Sequence, residues 1–488
     1  FMILLKDILY RVGIEQVVGS TAVAVRGVEF DSRRVALNDV FVAIKGVLVD
    51  GHQFIKQACD QGAIAIICEQ FPEMIINGIT YVQVRDASAA LAYIADNFYE
   101  QPAKDLVLVG VTGTNGKTTV ATLLHQLFTK MGYAAGLLST VENKIGHEII
   151  PSTHTTPDSL TINRLLRQMV DAGLTHCFME VSSHGIDQNR TLGLDFDGGI
   201  FTNLTHDHLD YHKDFKTYRD VKKRFFDGLK SQAFALTNQD DKNGGFMLQN
   251  TKARVQTYAQ KSLADFKVQV LEQQISGQLL KIDGQEVWVK LIGGFNAYNL
   301  LAIYACGILL EVDPISVLQQ ISTLESVSGR FQYYVAPNGV TVIVDYAHTP
   351  DALENVLGTI AGIRTGNETL ITVVGCGGDR DKTKRPKMAA VATHWSNKVI
   401  FTSDNPRSEP AEEIISQMES GVPAHDYKKF VSITDRRQAI KTAVQMAASG
   451  DLILIAGKGH ETYQEISGVR HDFDDYKIAS EFLNDQTA

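Results

Sequence analysis

Residues 106–124 read LVLVGVTGTNGKTTVATLL, and this stretch decides the fold. The apolar run Leu106-Val107-Leu108-Val109 predicts a buried strand. Gly110, Gly113, Asn115 and Gly116 make a glycine-rich turn, and Lys117, Thr118 and Thr119 open a segment with helical spacing. Strand, glycine loop, Lys-Thr and helix together form a phosphate cradle. Backbone N–H groups of the loop and helix start point at the anion, the lysine adds a charge, and a threonine hydroxyl suits Mg²⁺. One detail departs from the pattern G-x-x-x-x-G-K-[ST], whose first glycine falls at position 111. Val111 stands there, and Gly110 comes one place early. The plain alternative is an ordinary glycine turn before a helix. The position of Lys-Thr-Thr favours the cradle.

The chain has 488 residues, which predicts about three domains. Hydrophobic residues are 44% and charged residues 21%, as in ordinary globular proteins. The net charge of −10 argues against non-specific nucleic-acid binding. Lys222-Lys223-Arg224 is the best basic cluster and is short. The five cysteines, Cys59, Cys68, Cys177, Cys306 and Cys376, are scattered and odd in number. They predict a reducing, cytoplasmic setting without a disulfide framework or a zinc site. No apolar run approaches the roughly 20 residues of a membrane span. Residues 2–13, MILLKDILYRVG, carry Lys6 and Asp7 inside an apolar run and predict an amphipathic helix, not a signal peptide. Phe1, ahead of Met2, reads as an addition.

The pattern divides into three blocks, all α/β. Residues 1–100 alternate strands (VAVRGVEFDSR, DVFVAIKG, AIAIICE) with helices (FIKQACDQG, AALAYIADNFY) and hold no nucleotide loop. Asp31-Ser32-Arg33 follows a strand and reads equally as a turn or a binding feature. Residues 101–332 hold the phosphate loop and further strands at 175–183, 197–204 and 232–238. The helix 159–173 lies between them, so the alternation predicts a mostly parallel, doubly wound sheet. Residues 266–289 instead predict short antiparallel strands turning at Ile282-Asp283-Gly284. Residues 333–488 repeat the rhythm in a third, Rossmann-like domain, with strands at 340–346, 369–375, 398–404 and 452–457. Each of these four strands ends in a polar cluster: Asp345 to His348, Gly377 to Arg380, Asp404 to Arg407, and Gly457 to Glu461. Ligands of open parallel sheets bind beyond the carboxyl ends of the strands.

Glu180 ends the strand THCFME, where a carboxylate reaches a cation held between phosphates. The next strand leads into Thr205-His206-Asp207-His208-Leu209-Asp210-Tyr211-His212. Three histidines and two aspartates suggest zinc. The phosphate loop argues for Mg²⁺, which rarely takes imidazole, so the residues alone leave the role of these histidines open. In YRDVKKRFFDGL, residues 218–229, Lys222 lies on a partly apolar stripe with Tyr218 and Phe226. It reads as drawn toward the site or as part of a solvated basic face. Asn296 and Asn299, three apart in GGFNAYN, share a helix face. They read as a purine-binding pair, or Asn296 as a helix cap.

The chain resembles the Mur ligases, the ATP-dependent amide-forming enzymes of peptidoglycan assembly. The resemblance spans essentially the whole chain through GVTGTNGKTT, TTPDS, MEVSSHGIDQNR, FTNLTHDHLDYH, YRDVKKRFF, GGFNAYN, SGRFQ, DYAHTPDAL, GCGGDRDKTKRP, SDNPR and AGKGHE. The displaced Gly110 is that family's own version of the loop.

The resemblance implies a role for each matching position. Gly113, Thr114, Asn115, Gly116, Lys117, Thr118 and Thr119 would cradle the ATP phosphates. Asn296 and Asn299 would meet adenine, and Arg330 and Asp345 would hold the nucleotide from the linker and third domain. Thr118, Glu180, His208 and Lys222 would serve Mg²⁺, with Lys222 carbamylated to an anion. The catalytic set is then Lys117, Glu180, His208 and Lys222. Ser32, Thr155, Thr156, Ser182, Gln188 and Arg190 would contact a UDP-N-acetylmuramoyl-dipeptide. Arg380, Asp404, Asn405, Arg407, Gly457 and Glu461 would bind meso-diaminopimelate.

Compared with lysine, that amino acid has an extra carboxylate, which a guanidinium grips bidentately, with an acid for the neighbouring amine. The resemblance therefore implies a cytoplasmic ligase, monomeric, with no nucleic-acid or membrane partner. It would join the diamino acid to the dipeptide through an acyl phosphate, with a closing rotation of the third domain. The motifs do not single out the base for the incoming amine; His348 and groups of the substrates are candidates. Val47-Leu48-Val49 departs from the polar uracil contacts expected there. The alternatives are a lysine-adding ligase, a folylpolyglutamate synthase, or a non-catalytic nucleotide-binding protein.

Overall fold

The computed structural model describes residues 2–46, 49–205, 207 and 209–485. Among these the chain forms three α/β units, each built on its own main sheet. The first sheet runs Ile14–Val18, Thr80–Val84, Ala65–Cys68, Asp39–Val42, Gly27–Glu29. Its pairs are parallel except at the Ile14–Val18 edge. Asp39–Val42 and Ala65–Cys68 are buried at every residue, which is why Val40–Val42 and Ala65–Cys68 read as unbroken apolar runs. Two expectations fail here. The amphipathic helix at residues 2–13 is only Leu5–Ile8, because Ile3–Leu4 pairs with Ala24–Val25. The expected strand VAVRGVEFDSR is likewise broken at Arg26, into Ala24–Val25 and Gly27–Glu29, and it ends before Asp31. Tertiary pairing overrides a helical period in so short a stretch.

The central sheet has eleven strands. Its parallel core runs Ala135–Leu138, His176–Glu180, Val107–Thr112, Gly198–Phe201, Phe234–Asn238, Arg254–Ala259 and Phe266–Gln274. The antiparallel strands Glu142–Ile145 and Glu148–Pro151 extend one edge, and Gly277–Ile282 and Gln285–Val289 the other. The hairpin expected at residues 266–289 is thus present, with Asp283 (φ 45°) and Gly284 (φ 86°) supplying the left-handed turn. The strand Val107–Thr112 alternates in the expected way. Val109 and Val111 pack with the helices Lys117–Lys130 and Gly294–Leu309 on one face. Leu108 packs on the other face, with the helices Ser159–Asp171 and Phe215–Asp227.

Gly110 explains the displaced glycine of the loop motif. It lies inside the strand, not in the loop. A Cβ there would come within 2.6 Å of Phe225 Cζ and 2.9 Å of Phe196 and Val181. Gly199 on the neighbouring strand meets Phe225 in the same way, at 2.9 Å. Two glycines make a slot, and the slot draws in the helix that carries Lys222.

The third sheet runs Gln332–Val335, Thr341–Asp345, Leu452–Ala456, Leu370–Val374, Lys398–Phe401, Phe430–Ser432, with only the first pair antiparallel. The four polar clusters leave the carboxyl ends of four adjacent strands on the same side. Among the described residues, no helix is long and apolar enough to cross a membrane.

Candidate active site

The phosphate loop joins Thr112 to the helix Lys117–Lys130. Gly116 takes φ 89° at the helix start, where a Cβ would meet Asn299 Oδ1 at 2.7 Å. Thr114 N and Asn115 N donate to the Asn203 carbonyl (2.8 Å) and side-chain oxygen (3.0 Å). Asn203 Nδ2 and Thr202 Oγ1 donate to the Asn115 carbonyl. Thr202 and Asn203 are site residues missed at the sequence level, although they sit in FTNL, one strand over from the loop. Lys117 Nζ donates to the carbonyls of Gly113 (3.0 Å) and Thr114 (2.8 Å).

Thr118 Oγ1 donates to Glu180 Oε2 at 3.0 Å. Thr140 N donates to Glu180 Oε1 at 2.7 Å. Parallel pairing sets this meeting, since Glu180 lies beside Val111 in the adjoining strand. Lys222 is buried, and its Nζ donates to the Gly113 carbonyl at 2.8 Å. The solvated-face reading of Lys222 is therefore wrong. Burial first, then the Lys117 charge, holds the Lys222 amine well below its ordinary range, with Asp207 opposing.

Hydroxyl and carboxylate oxygens side by side, Thr118 with Glu180, suit a hard cation such as Mg²⁺. Among the described residues no cluster of three or more His, Cys, Asp or Glu could hold a metal. His208, expected in the metal shell, lies outside the described residues, as do His206, Val47 and Leu48.

Asn296 and Asn299 are buried and bonded to each other at 3.1 Å. Asn296 does not cap its helix, because Gly293 holds that position and Asn296 Nδ2 donates back to the Ile292 carbonyl. Arg330 Nη2 donates to Thr118 Oγ1 at 3.2 Å and its guanidinium lies over the Tyr346 ring. Asp345 accepts from Phe331 N (2.6 Å) and Ala347 N (2.8 Å). From the third unit, Asp351 accepts from Asn115 Nδ2 at 3.3 Å. The third unit therefore reaches the phosphate loop directly.

Five of the expected dipeptide contacts form one network. Thr156 Oγ1 donates to the Glu180 carbonyl and accepts from Ser182 N, both at 2.9 Å. Arg190 donates to Gln188 Oε1 and to the Thr156 carbonyl. Thr155 Oγ1 accepts from Thr140 Oγ1. Ser32 is apart in the first unit, in a turn capped by Asp31, and donates to Gln57 Oε1 at 3.1 Å.

The four strand-end clusters of the third unit meet in one cleft of about 220 Å³. His348, Arg380, Asn405, Arg407 and Glu461 line it, and the central unit contributes His184 and Asp207. Asp404 and Gly457 also line it, packed so closely that a Cβ on Gly457 would stand 2.5 Å from Asp404 Oδ2. Arg407 Nη1 donates to the Gly378 carbonyl at 2.7 Å, and Arg380 is exposed. His348 Nδ1 is 2.9 Å from the Tyr346 carbonyl. A carbonyl only accepts, so the proton is on Nδ1 and Nε2 keeps its lone pair. Burial above all holds the His348 imidazole down at about 4.

The chain also matches known protein families over most of its length. Residues 24–99 match the Mur ligase family catalytic domain, 111–307 the Mur ligase middle domain, and 329–459 the Mur ligase glutamate ligase domain. A UDP-N-acetylmuramoyl-L-alanyl-D-glutamate--2,6-diaminopimelate ligase of Cytophaga hutchinsonii is 53% identical over 98% of this chain and 99% of its own. The chain is a Mur ligase. A protein of the same name from Bacteroides thetaiotaomicron is also 53% identical to this Mur ligase, over 99% of the chain and 100% of its own. A solved diaminopimelate ligase of that name covers all of both chains, with a TM-score of 0.70 at 32% identity. The MurF ligase of Thermotoga maritima in complex with ADP shares the fold, with a TM-score of 0.64 at 19% identity over 94% of this Mur ligase and 98% of its own chain.

Proposed function

We propose that this Mur ligase uses ATP and Mg²⁺ to join meso-diaminopimelate to the D-glutamate of UDP-N-acetylmuramoyl-L-alanyl-D-glutamate in the cytoplasm, as a monomer. The observation that carries the reading is the single cleft. In it, His184 and Asp207 of the nucleotide unit face Arg380, Asn405, Arg407 and Glu461 of the third unit. The three units correspond to substrate, ATP and amino-acid domains at 1–100, 101–332 and 333–488.

The D-glutamate side-chain carboxylate attacks the γ-phosphorus of ATP, ADP leaves, and an acyl phosphate forms. The amine of diaminopimelate then attacks the acyl carbon, and phosphate leaves with the C–O bonding pair. The chain's work is positioning and charge neutralisation. Lys117 swings from its loop carbonyls to the phosphates, and Gly113 to Thr119 supply N–H donors and hydroxyls. Asn296 and Asn299 hold the base, and Arg330 of the linker and Asp345 of the third unit fix the nucleotide. Ser32 with the Thr155, Thr156, Ser182, Gln188 and Arg190 network seats the dipeptide substrate.

Thr118, Glu180, His208 and Lys222 would hold Mg²⁺, which neutralises phosphate charge. Lys222 serves as a carbamate. Only a neutral amine attacks CO₂, and burial beside Lys117 shifts this amine toward its neutral form. Arg380 and Arg407 take the distal carboxylate of diaminopimelate, and Glu461 takes its ammonium, beside Asp404, Asn405 and Gly457. His348, neutral with an open Nε2, accepts the proton of the attacking amine.

Phosphate release with ATP, the UDP-linked dipeptide and either meso-diaminopimelate or L-lysine tests the reading. Release that depends on diaminopimelate is expected. Preference for lysine, or no release with either, overturns it.

A further inference from the structure

A lysine is sealed beneath the amino-acid pocket. The Lys458 side chain has 0% exposure. Its Nζ donates to Asn405 Oδ1 and Glu461 Oε2, each at 3.0 Å. Asn405 Nδ2 donates to the same Glu461 oxygen at 2.7 Å, which closes a triangle of three side chains. Glu465 N adds a second donor to Asn405 Oδ1 at 3.0 Å. The amide of Asn405 therefore has one orientation, oxygen toward the cation and nitrogen toward the carboxylate. Both bonds to Glu461 fall on Oε2, which leaves Oε1 for a ligand.

The electrostatics need this cation. Glu461 shares its surroundings with the carboxylate of Asp404, the phenols of Tyr346 and Tyr463 and the guanidinium of Arg436. Two acids in one buried site push one of them toward protonation. Burial and then Asp404 raise the Glu461 carboxyl, while Lys458 and Asn405 oppose. Burial also acts to raise Asp404, yet Lys458, Arg436 and the Asn405 N–H hold it below its ordinary range. A buried ammonium is itself costly without partners, and Lys458 has them: two hydrogen-bonded side chains and the Tyr463 ring 5.4 Å away.

We propose that Lys458 is a positioning residue for the amino-acid pocket: it keeps Glu461 ionised and the Asn405 amide oriented, so that a carboxylate meets the ammonium of the incoming diamino acid. This rests on the reading of the cleft as the diaminopimelate pocket. Lys458 itself touches no substrate and acts through Glu461 and Asn405.

The test is steady-state phosphate release across pH by the wild type, Lys458→Gln and Lys458→Arg, with thermal melting of each. Saturation of the wild type by meso-diaminopimelate checks the pocket reading separately, and its absence sinks that reading before any variant is compared. In Lys458→Gln, the KM for diaminopimelate should rise at least about tenfold, the scale for breaking one partner of a buried charged pair. The KM values for ATP and the UDP-linked dipeptide should hold within about twofold. The acid limb of kcat/KM for diaminopimelate should move to higher pH, because Glu461 without its cation protonates sooner. Lys458→Arg should keep the wild-type limb. A Gln variant with the wild-type KM and pH limb overturns the proposal. So does a loss spread equally over all three substrates with a lowered melting temperature, which marks a merely structural lysine. If the Gln variant does not fold, Lys458→Met is read by the same criteria.

Discussion

Phe225 fills the space that Gly110 leaves empty: a Cβ on Gly110 would stand 2.6 Å from Phe225 Cζ. Lys222 is one turn before Phe225 on the same helix and reaches the Gly113 carbonyl. A strand glycine thus sets the depth of a helix, and the helix sets the position of the candidate carbamate. Gly110→Ala should destabilise the protein by about 1–3 kcal/mol through overpacking and lower kcat more than the KM for ATP. Phe225→Leu in the same chain should restore part of both. Thermal melting and phosphate release check this. Additive losses in the double variant would show that the two positions do not act together.

Lys222→Ala should reduce turnover by about 10²–10³-fold, the scale for losing one charge-placing group in an active site. ADP binding should persist, because Lys117 and the loop amides remain. Added acetate or propionate should recover part of the activity if the lost group is a carbamate, since a small carboxylate can enter the vacated space. Phosphate release with and without the acids measures it. Unchanged turnover would remove Lys222 from the mechanism.

Most of this architecture was legible in the sequence because periodicity reports burial. The unbroken apolar runs of the parallel strands and the polar clusters at their ends were both readable, and those clusters do converge on one cleft. The phosphate loop could be read as a cradle from its residues alone. What could not be read was distance between segments. Nothing local in Gly110 says that an aromatic ring 115 residues later needs its space. Asn203 grips the loop from the end of a neighbouring strand, and Asp351 meets Asn115 from the first turn of a helix in the third unit. Lys222 looked like part of a charged face because a helix pattern does not reveal which neighbour covers it. Lys458 is visible within AGKGHE, but its partnership with Asn405 exists only once the strands Leu452–Ala456 and Lys398–Phe401, on either side of Leu370–Val374, end on the same side of the sheet. The helix Leu5–Ile8 is shorter than its apolar pattern implies for the opposite reason: a two-residue strand pairing outweighs the local period.

Arg407 should set amino-acid selectivity. Its backbone is held by Glu465 and Ser467, and Nη1 donates to the Gly378 carbonyl, so the guanidinium is fixed at the cleft. Arg407→Lys loses the planar two-point grip on a carboxylate. The KM for meso-diaminopimelate should rise by about 10–100-fold, from the 1.5–3 kcal/mol typical of hydrogen bonds to charged groups. L-lysine, which lacks the distal carboxylate, should be used no worse than by the wild type. Competition between the two amino acids in one assay measures the ratio, and an equal loss for both would assign Arg407 a structural role.

Acid should weaken the fold through buried imidazoles. Burial above all holds His125, in the phosphate-loop helix, at about 4, below its ordinary 6.5. The unfolded chain binds a proton at this histidine below pH 6.5 while the folded one does not. The contribution to stability is therefore complete above 6.5 and is lost as the pH falls toward 4. One such group accounts for on the order of 3 kcal/mol across that window. His348, held at about 4 in the cleft, adds to the trend with the same sign. Melting temperatures should fall between pH 7 and pH 5, and His125→Gln should fall less over the same interval, whatever its stability at pH 7. Parallel curves for the wild type and this variant would show that His125 is not among the groups that make the protein acid-sensitive.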